Sequence, residues 1–599
     1  VTLELLASEA VPEPRQVRME PAPGEHPGGE PGYFRAFMAG LEPGARYGYR
    51  LDGGDLLPDP ASRHQPEGVH GPSEVVRLEP PAQSGWRGLR RERYVFYEIH
   101  VGTMTPAGTF DGVVPHLDRL VDLGITALEI MPVAEFPGER NWGYDGVCLY
   151  AAHHAYGGPW GLRRLTEACH ERGLAVVLDV VYNHLGPEGN YLAQFGPYFT
   201  DRYHTPWGQA VNFDGADSDP VRRFFLENAL WWLSDIGVDA LRLDAVHAIA
   251  DESEIPFLAE LGRTVDELAE DTGREIHAIA ESDANTLRHL RPRGQGGEGL
   301  DAQWCDDFHH ALHTVLTGES NGYYQDFGTL AQLGRAMEQG FVYTGQYSRY
   351  RRRRHGEPPA GIAPSRFVVC AQNHDQVGNR FHGERLASLV PPGKLRLAAG
   401  CLLLSPFLPL LFMGEEHGET APCLYFVHHG DPELVEAVRQ GRRREFEHFL
   451  TEDDRPMPDP QSPDAFDRSR PDWRRQEGEP LVALYRELLE LRREVPALEP
   501  AGDGVAQLEI EVDEANGVLS LSRGRGDSRV WVPMVFAEEA RDVQVPGGPA
   551  SSWRRVLCSD ELRFGGGGGE PPVRVTGGST ARLPATALTI YVLESSRRD

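Results

Sequence analysis

Between residues 94 and 413 the chain alternates short apolar runs with longer stretches whose apolar positions recur every three to four residues. The runs fall at 94–100, 127–133, 175–181, 240–246, 277–282, 302–306, 366–372 and 408–413. Runs of this kind predict parallel strands buried on both faces, and the intervening HLDRLVDLG, GLRRLTEACHERG and EIPFLAELGRTVDELAEDTG predict amphipathic helices. Eight strands each followed by a helix predict an α/β chain built on a (β/α)8 TIM barrel. Alternating segments on either side (ARYGYRLDGG and SEVVRLEPP before, GVLSLSRG, RVWVPMVF and ALTIYVLES after) predict an N-terminal and a C-terminal β-sandwich. The expected division is 1–90, 91–500 and 501–599. Residues 185–219 are too many for an ordinary strand-to-helix loop and are expected to form a lid.

Composition narrows the partners. A formal charge of −31 speaks against nucleic acid, whose binders need a cationic face to displace counter-ions. The longest apolar stretch, Leu395 to Phe412, is broken by Ser405, Pro406 and Pro409, so no membrane span is expected, and the start lacks the pattern of a signal peptide. A cytoplasmic protein is the expectation. Seven scattered cysteines without a CxxC pair suggest neither a disulfide framework nor a zinc site, and Trp231 and Trp232 read as core. Lys394 is the only lysine, which reads as genome composition.

Four of the predicted strands end on acids: DVVYNH (179–184), LRLDAVH (241–247), AIAES (278–282) and AQNHD (371–375). Acids gathered at the carboxyl ends of barrel strands are how such a fold assembles a polar site. Glycoside hydrolysis needs two carboxyl groups in different states, one ionised and one protonated. Arg242 and Asp244 point the same way by strand alternation, so the guanidinium can keep that carboxylate ionised. Glu281 follows an apolar run, suited to a partly desolvated acid. Neighbouring strands about 4.8 Å apart suit the roughly 5–5.5 Å separation of a retaining enzyme. Asp179 is expected to brace Arg242, while His184 and His374 are candidate donors to sugar hydroxyls.

The four segments, in this order, resemble the motifs of the α-amylase family of retaining glycoside hydrolases. The resemblance implies Asp244 as nucleophile, Glu281 as general acid/base and Asp375 as transition-state stabiliser. Arg242, His184 and His374 would surround the cleaved sugar, with Tyr144 of NWGYDG stacked beneath it. Longer stretches, including LLPDPASRHQPEGVHGPSEV (56–75) and AQNHDQVGNRFHGERL, resemble the trehalose-releasing members of that family. This implies cleavage of the α-1,4 bond beside the terminal trehalose of maltooligosyltrehalose, with a maltooligosyltrehalose synthase as pathway partner and no cofactor. Contacts to trehalose are expected after the sixth and seventh strands, from Asp306 to His310, Asp306 and His309 among them, and from Gln376 to Arg380, with helix capping an equally good explanation of the acids. Asn183 and His247 match positions that hold calcium in many relatives, but spacing alone does not show a site, since a hard cation needs six to eight oxygens, and no metal is expected. The run Arg349 to Arg354 reads as a loop with its acids nearby or a piece of the substrate rim. Competing readings are a debranching or branching enzyme of the same family and, from another class, a non-catalytic carbohydrate-binding protein.

Overall fold

The computed structural model describes residues 1–22, 32–79, 85–446, 456–476, 479–500 and 507–594. Its centre is a closed barrel of eight parallel strands: Phe96–Ile99, Ala127–Ile130, Ala175–Val180, Ala240–Leu243, His277–Ala280, Ala302–Trp304, Phe367–Cys370 and Leu408–Phe412. Each lies in one of the eight apolar runs. All but the first begin within a residue of the run's start, and most stop two or three residues before its end. At the fourth strand the reason is visible. The Asp244 N–H still bonds the Val180 carbonyl at 3.0 Å, but Ala245 turns the chain with a left-handed φ of 38°.

Alternation decides what fills the barrel. Phe96, Ala127, Ala175, Val177, Ala240, Ile279, Ala302, Val368 and Leu408 pack into one internal cluster with Tyr94 and Trp304. The same period of two, carried upward, brings Glu98, Glu129, Asp179, Arg242 and Asp244 inward, so the interior is apolar at the amino end and charged at the carboxyl end. The outward residues join the surrounding helices in a second, larger core.

The 185–219 segment folds into a short helix, Leu192–Phe195, and a hairpin of Phe199–Thr205 with Gly208–Val211. Two other ribbons lay hidden in loop-like sequence: Ala134–Glu135 with Cys148–Ala152, and Tyr347–Ser348 with Arg353–Arg354. Trp231 and Trp232 are buried, as expected, in a π-helical turn Trp231–Ile236. The seven cysteines are all buried and unpaired.

On the N-terminal side a five-stranded antiparallel sheet includes Thr2–Leu5, Arg15–Arg18 and Arg46–Arg50, and YFRAFMAG contributes only Phe34–Arg35 to a separate ribbon. Tyr47 donates to Asp59 at 2.8 Å within this unit, and Tyr49 rests edge-on against Phe195 of the insertion, joining the sheet to the barrel. Beyond helix Pro480–Glu494, a six-stranded sheet and a two-stranded one enclose Trp531, Trp553 and Tyr591, a C-terminal sandwich. Among the described residues, no helix is long and apolar enough to cross a membrane.

Candidate active site

Arg242 organises the carboxyl end of the barrel. Buried, it reaches both oxygens of Asp179 (3.0 and 2.9 Å) and Oδ1 of Asp244 (2.7 Å), and lies 3.7 Å from Oε2 of Glu281. Its guanidinium sits 4.3 Å over the Trp304 ring, which supports the plane from below. Asn183 completes the hold on Asp244, donating to Oδ2 and to its carbonyl, each at 2.8 Å. Burial pushes the Asp244 carboxyl up, but Arg242, His184 and Asn183 outweigh it and leave the group below the ordinary carboxylate range. An ionised carboxylate is therefore fixed in place.

Glu281 lies across the strand ladder, where Leu243 pairs with Ala280. The chain turn at Ala245 gives it one hydrogen bond, from the Ala245 N–H to Oε2 at 2.5 Å. Burial raises this carboxyl well above its usual range; Arg242 opposes the rise, and Asp244, Asp306 and Asp375 add to it. Two neighbouring acids are thus driven in opposite directions, the electrostatic requirement for a nucleophile beside a proton donor. Asp375 is exposed in the first turn of helix His374–Gly378, with Asn379 Nδ2 2.5 Å from Oδ1. Asp306 faces the same acids, and burial, then Asp283 and Asp375, lift it to about 8.

A hydrogen-bonded chain braces the floor. Glu98 accepts from the His374 backbone N–H (2.9 Å) and meets Nδ1 at 2.5 Å, while Nε2 lies 2.7 Å from the Tyr144 hydroxyl, which donates to Asp179 at 2.7 Å. Because that hydroxyl gives its proton to Asp179, His374 must donate to it, which calls for protons on both ring nitrogens. Burial disfavours the imidazolium, and the Glu98 carboxylate more than restores it. The Tyr144 ring stacks on His374 at 5.3 Å. His184 lies against the Tyr144 carbonyl (3.0 Å) and Asn183, and the hairpin residue Trp207 stacks flat on it at 4.4 Å. The nitrogens of both histidines thus engage protein groups.

The structure brings Asp244, Glu281, Asp375, Arg242, Tyr144, His184, His374 and Asp306 together. It does not bring His309: helical periodicity turns it inward, where its nitrogens meet the Ala371 carbonyl (2.7 Å) and the Tyr324 hydroxyl (2.9 Å). Phe308 and His310 are likewise buried, and Asp307 caps the backbone of Val342 and Tyr343. Gln376 is buried behind Asp375 and accepts from Tyr323 at 3.3 Å. Asn183 is engaged with Asp244, and His247 lies 3.9 Å from Asp283. The one three-residue group with metal-ligand spacing among the described residues is Glu135, His153 and His154, and there both His153 nitrogens face backbone, Ala155 N–H and Gly138 carbonyl. Arg351 reaches Asp283 at 2.8 Å, tying the arginine-rich ribbon to the rim.

Glu98, Trp304 and Trp207 were not singled out in the sequence. A glutamate inside YVFYEIH was the available signal, since such a residue is almost never fully buried without a partner.

Residues 76–205 match the alpha amylase catalytic-domain family. The malto-oligosyltrehalose trehalohydrolase of Arthrobacter ramosus is 49% identical, covering 80% of this chain and 83% of that one. That of Saccharolobus solfataricus is 47% identical over 77% and 80%. A solved Salmonella typhimurium structure described as an alpha amylase matches with a TM-score of 0.85 at 36% identity, covering 99% of this chain and 96% of the other. A pullulanase from Paenibacillus barengoltzii, at 18% identity and a TM-score of 0.70, shares the fold.

Proposed function

The chain belongs to the malto-oligosyltrehalose trehalohydrolase family, and from that premise we propose that it hydrolyses the α-1,4 bond next to the terminal trehalose of maltooligosyltrehalose, with retention. Asp244 attacks the anomeric carbon of the glucose preceding the trehalose, while Glu281 gives its proton to the bridging oxygen as the C–O bond breaks. Trehalose departs. Glu281, now a carboxylate, takes a proton from water, whose oxygen attacks the same carbon and releases Asp244 with a malto-oligosaccharide of α configuration. Asp375 grips hydroxyls of the flattened ring, Arg242 keeps Asp244 ionised, and Tyr144 lies under the sugar. His184 and His374 shape the wall.

One observation carries this reading: two carboxyl groups beside one guanidinium, on neighbouring strands, pushed in opposite directions by their surroundings. Asp306 is the residue of the sixth-strand group best set to meet the leaving disaccharide, and Gln376 supports the same side through Tyr323. The reading includes the division at about residues 90 and 500, a cytoplasmic setting, and a synthase that makes the capped substrate.

The test compares kcat/KM for maltotriosyltrehalose and maltopentaose, both of five glucose units. Trehalose locks two anomeric centres together, and polar groups matched to it would be left unpaired by maltose at roughly 1–3 kcal/mol each. One or two mismatches favour the capped substrate by about ten- to several-thousand-fold. Equal values, or maltose as the main product from both, would return the enzyme to a general amylase or debranching role.

A further inference from the structure

The amino end of the barrel, opposite the acids, holds a second cavity of about 970 Å³. It opens between residues 90–95, the turns that enter several barrel strands, helix Pro480–Glu494 and strand Val518–Arg525. Seven arginines and four carboxylates line it, so its wall is net positive in a chain of formal charge −31. Excess cations at one spot of an acidic protein oppose the general trend and call for a local reason.

The pairing of these arginines sharpens the point. Arg91 pairs with Glu92, Arg172 with Asp118, Arg493 with Glu494, and Arg525 with Glu499. Arg90 and Arg93, both exposed, have no carboxylate partner among the described residues. Arg492 is buried and bonded only to carbonyls, those of Leu403, Ser405 and Phe407 at the end of helix Pro392–Leu404. Behind it Arg523, also buried, bonds only to the carbonyls of Leu404, Ser405 and Glu499. The negative end of the helix compensates these charges in part, yet two neighbouring buried guanidinium groups lack a counter-ion among the described residues, an arrangement that ordinarily destabilises. In the same wall the buried Tyr94 hydroxyl and the Arg91 Nε have no hydrogen-bond partner among the described residues. Unsatisfied donors and an excess of forked cations are the chemistry that recognises phosphate oxygens.

We propose that this cavity binds a small phosphate-bearing anion, held by Arg90 and Arg93 at the mouth, with the charge of the buried Arg492 behind them. The site lies at the far end of the barrel from Asp244 and Glu281, so its ligand is distinct from the neutral oligosaccharide substrate. Inorganic phosphate and a sugar phosphate share the recognised group, and the experiment separates them.

Isothermal titration of the full-length protein with inorganic phosphate, glucose 6-phosphate and glucose, at constant ionic strength set with chloride, tests the proposal. Saturable binding of at least one phosphate compound is expected, with none from glucose at the same site. The Arg90→Gln/Arg93→Gln pair should weaken that binding by about tenfold or more, the scale of two lost charge-assisted bonds, while its melting temperature in chloride stays that of the parent. Tighter binding of glucose 6-phosphate than of inorganic phosphate would assign an ester, and the reverse the free ion. Asp244→Asn should bind as the parent does, which separates this site from the catalytic cleft. Absence of saturable binding by both phosphates, unchanged affinity in the arginine pair, or loss of binding in Asp244→Asn would overturn the assignment.

Discussion

The two ends of the barrel treat buried carboxyl groups in opposite ways. At the amino end, Asp239 accepts from Trp86 Nε1 (2.8 Å), Arg274 (3.1 Å), the Val176 N–H (2.9 Å) and His170 (2.8 Å). Burial alone would raise it, but His170, Arg274 and Trp86 hold it below the usual range. At the carboxyl end Glu281 has a single hydrogen bond, and burial lifts it far up. Asp244 stands between these cases: it is held like Asp239, by Arg242 and Asn183, but keeps 12% of its side chain exposed, whereas Asp239 has none. An acid saturated with donors ties elements together. An acid left short of donors, or saturated but accessible, keeps its chemistry.

The contrast breaks most sharply under substitution. Asp244→Asn should lower kcat/KM by on the order of 10⁴–10⁶-fold, since nothing else in LRLDAVH could attack, with little change in the melting curve. Near-full activity would end the nucleophile assignment. Glu281→Gln should lose about 10²–10⁴-fold with the natural leaving group and far less with α-maltosyl fluoride, whose leaving group needs no proton. Equal losses on both substrates would show that Glu281 is not the acid. The pH profile follows from the two shifts. Activity falls on the acid side as Asp244 takes up a proton, below the usual carboxylate range, and on the basic side as Glu281 loses its own, well above it. In Glu281→Gln assayed on the fluoride, the basic limb should vanish while the acid limb remains.

At the other end the same type of change should act on stability. Asp239→Ala leaves Arg274 and His170 without their carboxylate and should cost about 3–5 kcal/mol, seen as an earlier unfolding transition. The kcat of the folded fraction should be unchanged. A variant that loses kcat while melting normally would mean that the amino end communicates with the cleft.

How much of this was legible in the chain differs by range. Strand rhythm and the Arg242–Asp244 alternation are local, and both are written in consecutive residues. Pairings across the barrel are not: Glu98 meets His374 from 276 positions away, and Trp304 comes to lie under Arg242 only once the sixth strand closes beside the fifth. The Asp306–His310 stretch shows the limit from the other side. Its place after the sixth strand suggested contacts to the leaving group, but helix Asp306–Thr317 starts there, and a period of 3.6 sends Phe308 and His309 into the core while leaving Asp306 at the cleft. The ribbon carrying Asn141 to Tyr144 lacks the alternation that would have announced it.

The smallest expected effect is the most discriminating, because the two ends should differ in sign. For Asp239 the folded-state pKa lies below the unfolded value near 3.9. Its contribution is therefore present above the unfolded pKa and is lost as pH falls through the folded one. For Glu281 the folded-state pKa lies above the unfolded value near 4.3. Folding then favours the protonated form, so its contribution is complete below the unfolded pKa and disappears as pH rises through the folded one. Glu281→Gln removes a group that is costly to ionise in place, and should stabilise by about 0.5–2 kcal/mol at mildly alkaline pH, the usual gain from relieving a site kept strained for function. The gain should shrink toward pH 4. Asp239→Asn should show its largest loss at neutral pH, shrinking on acidification. Melting temperatures of the parent and both variants from pH 4 to 9, in one buffer series at fixed ionic strength, give the comparison directly. If the Glu281→Gln difference is flat across that range, its carboxyl is not held protonated, and the proton for the leaving oxygen must come from elsewhere, with Asp306 the next group to test.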